Sequence, residues 1–98
     1  MTHFSKITKE LLVSNRCGIH LRVGNMLSQK AKEFVSDIRI RKGTFTADCR
    51  SVLDVLSLGA FQGDVVVVET VGEDAEQALE AITALFNAGF YEDEPETS

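Results

Sequence analysis

The sequence predicts an α+β fold, an open-faced sandwich in which three helices cover one face of a four-stranded antiparallel sheet in the order β-α-β-β-α-β-α. Two observations support this prediction. Segments with alternating or β-branched apolar residues are separated by segments in which apolar residues recur every three or four positions. The chain has 98 residues, 44% hydrophobic and 26% charged, which suits one ordinary domain.

The first strand and the first helix come from the first third of the chain. Residues 6–15 are expected to form the strand, and a polar loop leads to Gly18. From about His20 to residues 36–37 the spacing changes to that of an amphipathic helix. Its apolar positions are Val23, Met26, Leu27, Ala31, Phe34 and Val35.

A hairpin and a short helix follow. Ile38 and Ile40 alternate with charged residues, and residues 41–43 can turn the chain into a partner strand at residues 44–47. Ser51 has the hydroxyl and position of a helix N-cap, with an acid three residues later as in a capping box. The apolar positions of that helix are Val52, Leu53, Val55 and Leu56, and Gly59 can end it.

The last third predicts a strand, a helix and a tail. Residues 65–68 are four valines, suited to a buried central strand. Residues 72–74 introduce a helix that ends at residues 87–89 and has the apolar positions Ala75, Ala78, Leu79, Ile82, Leu85 and Phe86. We therefore expect one domain over residues 1–90 and an acidic, disordered tail over residues 91–98.

Charge and composition exclude several classes of function. Residues 1–50 carry a net charge of +6 and residues 51–98 one of -11, so the whole chain is acidic. No basic run exceeds the cluster at residues 39–42, which argues against nucleic-acid binding. No stretch approaches the ~18 apolar residues of a membrane span, and the N-terminus lacks the apolar region of an export signal. With two cysteines and no disulfide framework, we expect a cytoplasmic protein with free thiols.

His20 stands where the loop meets the first helix. A helix start offers unpaired N–H groups to an anion, and Arg22 adds a guanidinium suited to phosphate oxygens. Gly24 leaves the first turn uncrowded. A histidine is neutral, and so nucleophilic, in a useful fraction near neutral pH. Spacing alone nevertheless favours a surface or capping role for this histidine.

Two sequence motifs favour a functional role for His20 instead. Gly18-Ile19-His20-Leu21-Arg22 resembles the active-site motif of HPr, the histidine-containing phosphocarrier of the bacterial phosphoenolpyruvate:sugar phosphotransferase system. The segment from Arg50 to Gly59 resembles the signature around the regulatory serine of the same family. Residues 63–65 and 72–76 also fit the pattern, so the resemblance runs from about Leu11 to Phe86.

The resemblance implies a role for each matching residue. His20 would accept a phosphoryl group on Nδ1 from phosphorylated enzyme I and pass it to sugar-specific A components. Arg22 would stabilise the added charge, and the backbone N–H groups of Val23 and Gly24 would cradle the phosphate. Such a protein is a monomeric carrier without turnover of its own and without a cofactor. Ser51 would be the target of HPr kinase/phosphorylase, although capping alone also explains a serine there.

Three positions depart from the family pattern. Val23 stands where the family has a proline, Leu21 replaces a small residue, and Asp54 adds an acid to the short helix. These departures put transfer rate and choice of partner in doubt. They motivate an alternative, a regulatory interaction module that acts through partner binding and phosphorylation of Ser51. A carrier in a nitrogen-linked relay is a third reading.

Cysteine chemistry offers weaker candidates. Cys17 and His20 could supply two metal ligands, but a site needs three or four and no further ligand converges in the sequence, so no metal is expected. Cys17 beside an arginine could be a reactive thiolate, although a small loop residue is the preferred interpretation. Cys49 is expected to pack near the second helix.

Overall fold

Four strands and three helices follow one another in the predicted order in a computed structural model, which describes residues 6–92. The predicted fold class is confirmed. The elements are β1 (Lys6–Leu12), α1 (Leu21–Ala31), β2 (Asp37–Lys42), β3 (Phe45–Asp48), α2 (Val52–Ser57), β4 (Val65–Val71) and α3 (Ala75–Asn87), followed by a 3₁₀ turn over Gly89–Tyr91. Residues 93–98 of the predicted tail lie outside the described residues. Among residues 6–92 no helix is long and apolar enough to cross a membrane.

The sheet is antiparallel throughout, with the strand order β1-β4-β2-β3. The valine run lies in β4, an inner strand as predicted, paired on one side with β1 and on the other with β2. Val66 and Val68 are buried, but Val65 is exposed. The run is therefore not buried on both faces, because helices cover only one side of this sheet.

The core lies between the sheet and the three helices. Side chains from each layer meet there, among them Val13, Val23, Leu27, Ile38, Ile40, Val66, Val68, Ile82, Phe86 and Phe90. The last of these, Phe90, follows α3 and anchors the 3₁₀ turn to the core. The apolar pattern of α3 is confirmed, since Ala75, Ala78, Ile82, Leu85 and Phe86 are all buried.

The ends of β1 and α1 differ from the prediction. β1 ends at Leu12 rather than at residue 15, and α1 ends at Ala31 rather than at residues 36–37. After Lys32 the helical ladder gives way to shorter-range bonds, because the Glu33 N–H donates to the Lys30 carbonyl at 3.1 Å and the Phe34 N–H to the Ala31 carbonyl at 3.2 Å. The next two N–H groups, of Val35 and Ser36, donate to the Asp74 carboxylate at 3.0 and 2.9 Å. Val35 is consequently exposed and does not belong to the apolar face of α1.

The two helices that carry the sequence motifs pack closely. A Cβ atom added at Gly24 would lie 3.3 Å from Cγ1 of Val52 and 3.6 Å from Cδ2 of Leu56. The Ser28 hydroxyl of α1 donates to the carbonyl of Arg50 at 2.7 Å, just before α2. The absence of a side chain at position 24 thus brings the first turn of α1 against α2.

Candidate functional site

Backbone hydrogen bonds hold the loop that leads into α1. The Val13 N–H donates to the Asp64 carbonyl at 2.8 Å, and the Ile19 N–H donates to the Ala60 carbonyl at 2.9 Å. Gly18, just before Ile19, has φ +67°, and an added Cβ would come within 2.6 Å of the Ala60 carbonyl oxygen. Only glycine fits there without a shift, so the segment before His20 has one fixed path.

His20 is the N-cap residue of α1, in the extended conformation with φ -121° and ψ -173°. Its carbonyl accepts the N–H of Gly24 at 2.8 Å. Within the described residues its side chain caps no N–H group of the helix. The N–H groups of Leu21, Arg22 and Val23 therefore have no carbonyl acceptor inside the helix, and the imidazole, 36% exposed, stands beside them.

The predicted phosphate cradle changes in one position. The N–H of Gly24 is already used in the first helical hydrogen bond, so it is not open to a phosphate. The N–H of Val23 remains a candidate, together with those of Leu21 and Arg22. Gly24 contributes through the close packing of α1 on α2.

Arg22 lies beside His20 and also contacts the segment that follows α3. Nη1 donates to the Phe90 carbonyl at 2.9 Å and approaches Sδ of Met26 at 3.2 Å. Nη2 is 3.9 Å from Oε2 of Glu92. The guanidinium is half exposed, so it can rotate toward an incoming anion while its stem stays in place.

Glu92 is the residue at the site that the sequence did not predict. Asn15 Nδ2 donates to its Oε2 at 2.9 Å, the Cys17 N–H donates to its Oε1 at 2.7 Å, and His20 Nε2 lies 3.3 Å from Oε2. These contacts, the Asn15 hydrogen bond first, lower the pKa of the Glu92 carboxyl to about 2 despite the opposing effect of desolvation. The carboxylate is therefore ionised and fixed beside the imidazole.

The turn after α3 places Glu92 there. Phe90 is fully buried and packs its ring edge-on against Phe86, with centroids 4.9 Å apart. Phe90 and Tyr91 have φ of 52° and 59°, in the left-handed region that turns the chain back across the start of α1. The buried Phe90, four residues after Phe86, is the one sequence signal that could have shown that the chain stays attached beyond residue 90.

The two cysteines have different surroundings. Cys17 is exposed, and its hydrogen bond to Glu92 and the charge of that carboxylate raise the pKa of its thiol, against the smaller effects of Arg16 and Arg22. This disfavours the reactive thiolate considered from sequence. Cys49, which the sequence predicts near the second helix, is buried with Sγ 3.6 Å from the Leu27 carbonyl of α1, and burial raises the pKa of its thiol to about 12.

Exposed apolar side chains occur on the segments that pack against the start of α1. Leu21, next to His20, is 61% exposed, and Phe61, next to the Ala60 that holds the loop, is 67% exposed. On α2, Leu53 is 77% exposed, although the sequence pattern placed it on the apolar face. Large apolar side chains in the open near a polar centre are typical of a docking surface for another protein.

Ser51 is the N-cap of α2, as predicted. Its Oγ accepts the N–H of Asp54 at 3.2 Å. The second half of a capping box is missing among the described residues, because the Asp54 carboxylate accepts the N–H of Asp48 at 3.2 Å instead and Ser51 N–H donates to the Asp48 carbonyl. An aspartate is too short to complete the reciprocal bond.

Known proteins match this chain over nearly its whole length. A family model described as "PTS HPr component phosphorylation site" matches residues 7–88. A phosphocarrier protein HPr from Neisseria meningitidis is 31% identical over 88 residues, 90% of this chain and 99% of the relative. A phosphocarrier protein NPr from Shewanella violacea is 35% identical over 88 residues, 90% and 97% of the two chains.

Solved structures agree with the sequence matches. An HPr from Thermoanaerobacter tengcongensis superposes with a TM-score of 0.81 at 30% identity, covering 91% of this chain and 98% of that one. A phosphocarrier protein HPr from Bacillus anthracis gives a TM-score of 0.80 at 33% identity, covering 84% and 98%. The residues assembled around His20 thus lie in a fold that these proteins share.

Proposed function

Because the chain belongs to the HPr family of phosphocarrier proteins of the phosphotransferase system, we propose that His20 accepts a phosphoryl group from phosphorylated enzyme I and passes it to sugar-specific A components. The observation that carries the proposal is the arrangement at the start of α1. A half-exposed imidazole stands beside open backbone N–H groups, with a fixed carboxylate on its Nε2 side.

The carboxylate on one side of the ring prepares the other side for attack. A neutral imidazole has one N–H and one lone pair. The ionised Glu92 carboxylate accepts a hydrogen bond from an Nε2 that carries the proton, with 3.3 Å between Nε2 and Oε2. The lone pair of the ring is then on Nδ1. This is the nitrogen that the family uses. Glu92 is therefore a positioning residue for the ring.

The transfer step follows from this geometry. The Nδ1 lone pair forms the new bond to phosphorus while the bond from phosphorus to the donor group of enzyme I breaks. The ring then carries a positive charge with Nε2–H still directed at Glu92, whose negative charge offsets it. The transferred phosphoryl group brings roughly -1.5 to -2 charges, which the N–H groups of α1 and the Arg22 guanidinium can stabilise.

Labelling with phosphoenolpyruvate tests the proposal. The chain is incubated with phosphoenolpyruvate and enzyme I, and an acid-labile phosphate is expected on His20. The chain contains two histidines, so His3→Ala is the matched control and should label like the unmodified protein, whereas His20→Ala should not label. Absence of label under conditions in which a known carrier is labelled overturns the proposal.

Ser51 supports a second, regulatory part of the proposal. We infer that HPr kinase/phosphorylase modifies its hydroxyl, which caps α2, the helix that packs against the first turn of α1. A phosphate there would add negative charge beside Asp54 and Leu53, on the surface through which enzyme I would dock. Ser51→Asp should slow labelling of His20, and Ser57→Asp, at the other end of α2, should change it less. Equal effects of the two variants would refute the assignment.

The exposed apolar surface keeps one alternative open. Leu21, Leu53 and Phe61 could serve a regulatory module whose main activity is to bind a partner. If His20→Ala leaves the cellular role intact while Ser51→Asp changes partner binding, that reading replaces the carrier. Relatives named NPr match the chain as well as those named HPr do, so A components outside sugar uptake belong among the acceptors assayed.

The setting of the proposed carrier is the cytoplasm, where both thiols stay reduced. We propose that it acts as a monomer, without a cofactor and without catalytic turnover, since a relay protein needs one exposed acceptor and one docking surface. Sedimentation of the purified chain before and after labelling checks the monomeric state.

A further inference from the structure

A thiol, an imidazole and a carboxylate meet at the site. Cys17, His20 and Glu92 each offer one ligand atom, and these three atoms all lie within 4.8 Å of one another. Two of the residues are three positions apart in the loop before α1, and the third arrives from the far end of the chain. The sequence suggested only the first two, which do not suffice for a metal site.

The combination of atoms selects a class of metal ion. Thiolate and imidazole are ligands of zinc and similar transition ions, whereas magnesium and calcium take oxygen ligands. With bonds of about 2.0 to 2.3 Å, the ligands of a tetrahedral zinc ion lie about 3.3 to 3.8 Å apart. The His20 Nε2 to Glu92 Oε2 distance, 3.3 Å, already falls in that range. Because the Cys17 side chain is exposed, it can close the remaining gap of about 1 Å by rotation.

The surroundings hold these groups as they would hold ligands. Asn15 is fully buried, and its Nδ2 donates both to Glu92 Oε2 at 2.9 Å and to the Gly18 carbonyl at 2.7 Å. The Cys17 N–H donates to Glu92 Oε1 at 2.7 Å. Hydrogen bonds of this kind to a ligating carboxylate fix its orientation in metal sites.

We propose that Cys17, His20 and Glu92 bind one zinc-class divalent cation, with water in the fourth position. Cysteine coordinates as the thiolate, so its proton passes to the solvent on binding. His20 coordinates through Nε2, the nitrogen that faces Glu92. Three protein ligands and an open position are the arrangement of an accessible zinc site rather than of a closed structural one.

Coordination changes the reactivity of His20 toward phosphorus, and this consequence rests on the proposed function. When the Nε2 lone pair binds the ion, a neutral ring carries its proton on Nδ1. That nitrogen then has no lone pair with which to attack phosphorus. Zinc binding at Nε2 therefore excludes phosphorylation of His20, and the ion switches the carrier off.

Zinc binding is measured first, on the full chain without an affinity tag and without enzyme I. A chromophoric chelator competes for the ion, and one zinc per chain is expected. Cys17→Ser and Glu92→Gln should each weaken binding at least about tenfold, on the order of 1.4 kcal/mol. Cys49→Ser, Glu76→Gln and His3→Ala are the matched controls and should stay within about twofold.

A spectroscopic measurement distinguishes this site from loose binding to the histidine. Cobalt(II) added to the chain should give the thiolate-to-metal absorption in the near ultraviolet, and Cys17→Ser should abolish it. Circular dichroism of each variant confirms that it is folded. Zinc affinity unchanged in both Cys17→Ser and Glu92→Gln, or magnesium bound as tightly as zinc, overturns the proposed site.

The effect on phosphorylation is a separate measurement. Zinc at a stoichiometric level should slow labelling of His20 at least about tenfold, and a chelator should restore it. Enzyme I is tested with a second carrier to exclude its direct inhibition. A chain that binds zinc but labels at an unchanged rate refutes the exclusion, while a chain that binds zinc but never labels refutes the proposed function and leaves the metal site standing.

Discussion

The starts of α1 and α2 have similar backbone arrangements but differ in their capping side chains. Both follow a loop, both begin at an extended N-cap residue, and the two helices pack together through Gly24. At α2 the cap is Ser51, whose hydroxyl satisfies the N–H of Asp54. At α1 the cap position holds His20, which satisfies none of the N–H groups among the described residues.

Because of this difference, the start of α2 is structural, whereas the start of α1 is suited to bind an anion. A serine cap stabilises a helix by about 1 kcal/mol because it pairs a donor that would otherwise be open. The histidine gives up that stabilisation and keeps the donors of Leu21, Arg22 and Val23 open to a ligand. The open end is held in place by other contacts, those of Gly18 with Ala60 and of Glu92 with Asn15.

The strongest test of the comparison gives α1 the cap of α2. His20→Ser should abolish labelling by enzyme I completely and raise the free energy of unfolding by about 0.5 to 1 kcal/mol, because a hydroxyl then pairs one of the open N–H groups. Urea denaturation and phosphate incorporation measure the two effects. A variant less stable than the unmodified chain would show that the imidazole itself stabilises this end.

The next largest effect concerns the loop that fixes the open end. Gly18→Ala should lower the free energy of unfolding by about 2 to 3 kcal/mol, because the new Cβ meets the Ala60 carbonyl oxygen at a positive φ. Gly43→Ala is the matched control, with φ +59° and no atom within 4 Å, and should cost only about 1 kcal/mol. Equal losses in urea denaturation would mean that backbone conformation alone, and not the contact with Ala60, requires the glycine.

The charge beside the open end gives the third prediction. Arg22→Ala should slow labelling of His20 about tenfold, about 1.4 kcal/mol in the barrier, because the guanidinium no longer stabilises the incoming phosphoryl group. Arg39→Ala, an exposed position on β2, is the control and should label normally. Rates are compared at low enzyme I concentration, and an unchanged rate in Arg22→Ala would assign the arginine to anchoring Phe90 only.

The capped start gives a smaller effect. Ser51→Ala should lower the free energy of unfolding by about 1 kcal/mol through loss of the bond to the Asp54 N–H. Ser57→Ala, in the last turn of the same helix, should change it by less than about 0.5 kcal/mol. If thermal denaturation shows no difference between the two variants, the hydroxyl of Ser51 is not needed as a cap and its presence calls for another explanation.

The smallest effect concerns the start of α3. Hydrogen bonds from the Ser36 hydroxyl and from the N–H groups of Val35 and Ser36 lower the pKa of the Asp74 carboxyl. A carboxyl with a lowered pKa in the folded chain stabilises it above the ordinary aspartate pKa of ~3.9, and this contribution is lost as the pH falls below that value. Denaturation midpoints of the unmodified chain and of Asp74→Asn should therefore differ at pH 7 and converge toward pH 3. A constant difference would rule out ionisation of Asp74 as the cause.

Much of the fold could be predicted because it depends on local periodicity. The spacing of apolar residues in α3 and the alternation at Ile38 and Ile40 each specify which face is buried. The capping role of Ser51 follows from its hydroxyl and its position. The early end of α1 could not be predicted, because the segment after it is held by a carboxylate from the start of α3, a contact distant in sequence.

The residues of the site likewise fall into two groups, those predicted from local motifs and those brought in by tertiary packing. His20, Arg22 and Ser51 come from continuous motifs, and the structure places the first two together at the start of α1 and the third on the adjoining helix. The sequence predicts a disordered tail from residue 91, since residues 91–98 have no periodicity, and Glu92 falls within it. Its position depends on one buried side chain, Phe90, and on two left-handed residues, which no local pattern specifies.

The sequence by itself determined the order of the elements and the family, and it singled out His20 as the candidate acceptor, because helix periods, strand alternation and short motifs are carried by neighbours along the chain. Only the tertiary structure decided what stands around that histidine. Asn15, Cys17 and Glu92 come together across more than seventy residues, and such contacts form only when the core fixes both of the segments that carry them. The tautomer of His20 and the proposed metal site both depend on this long-range packing.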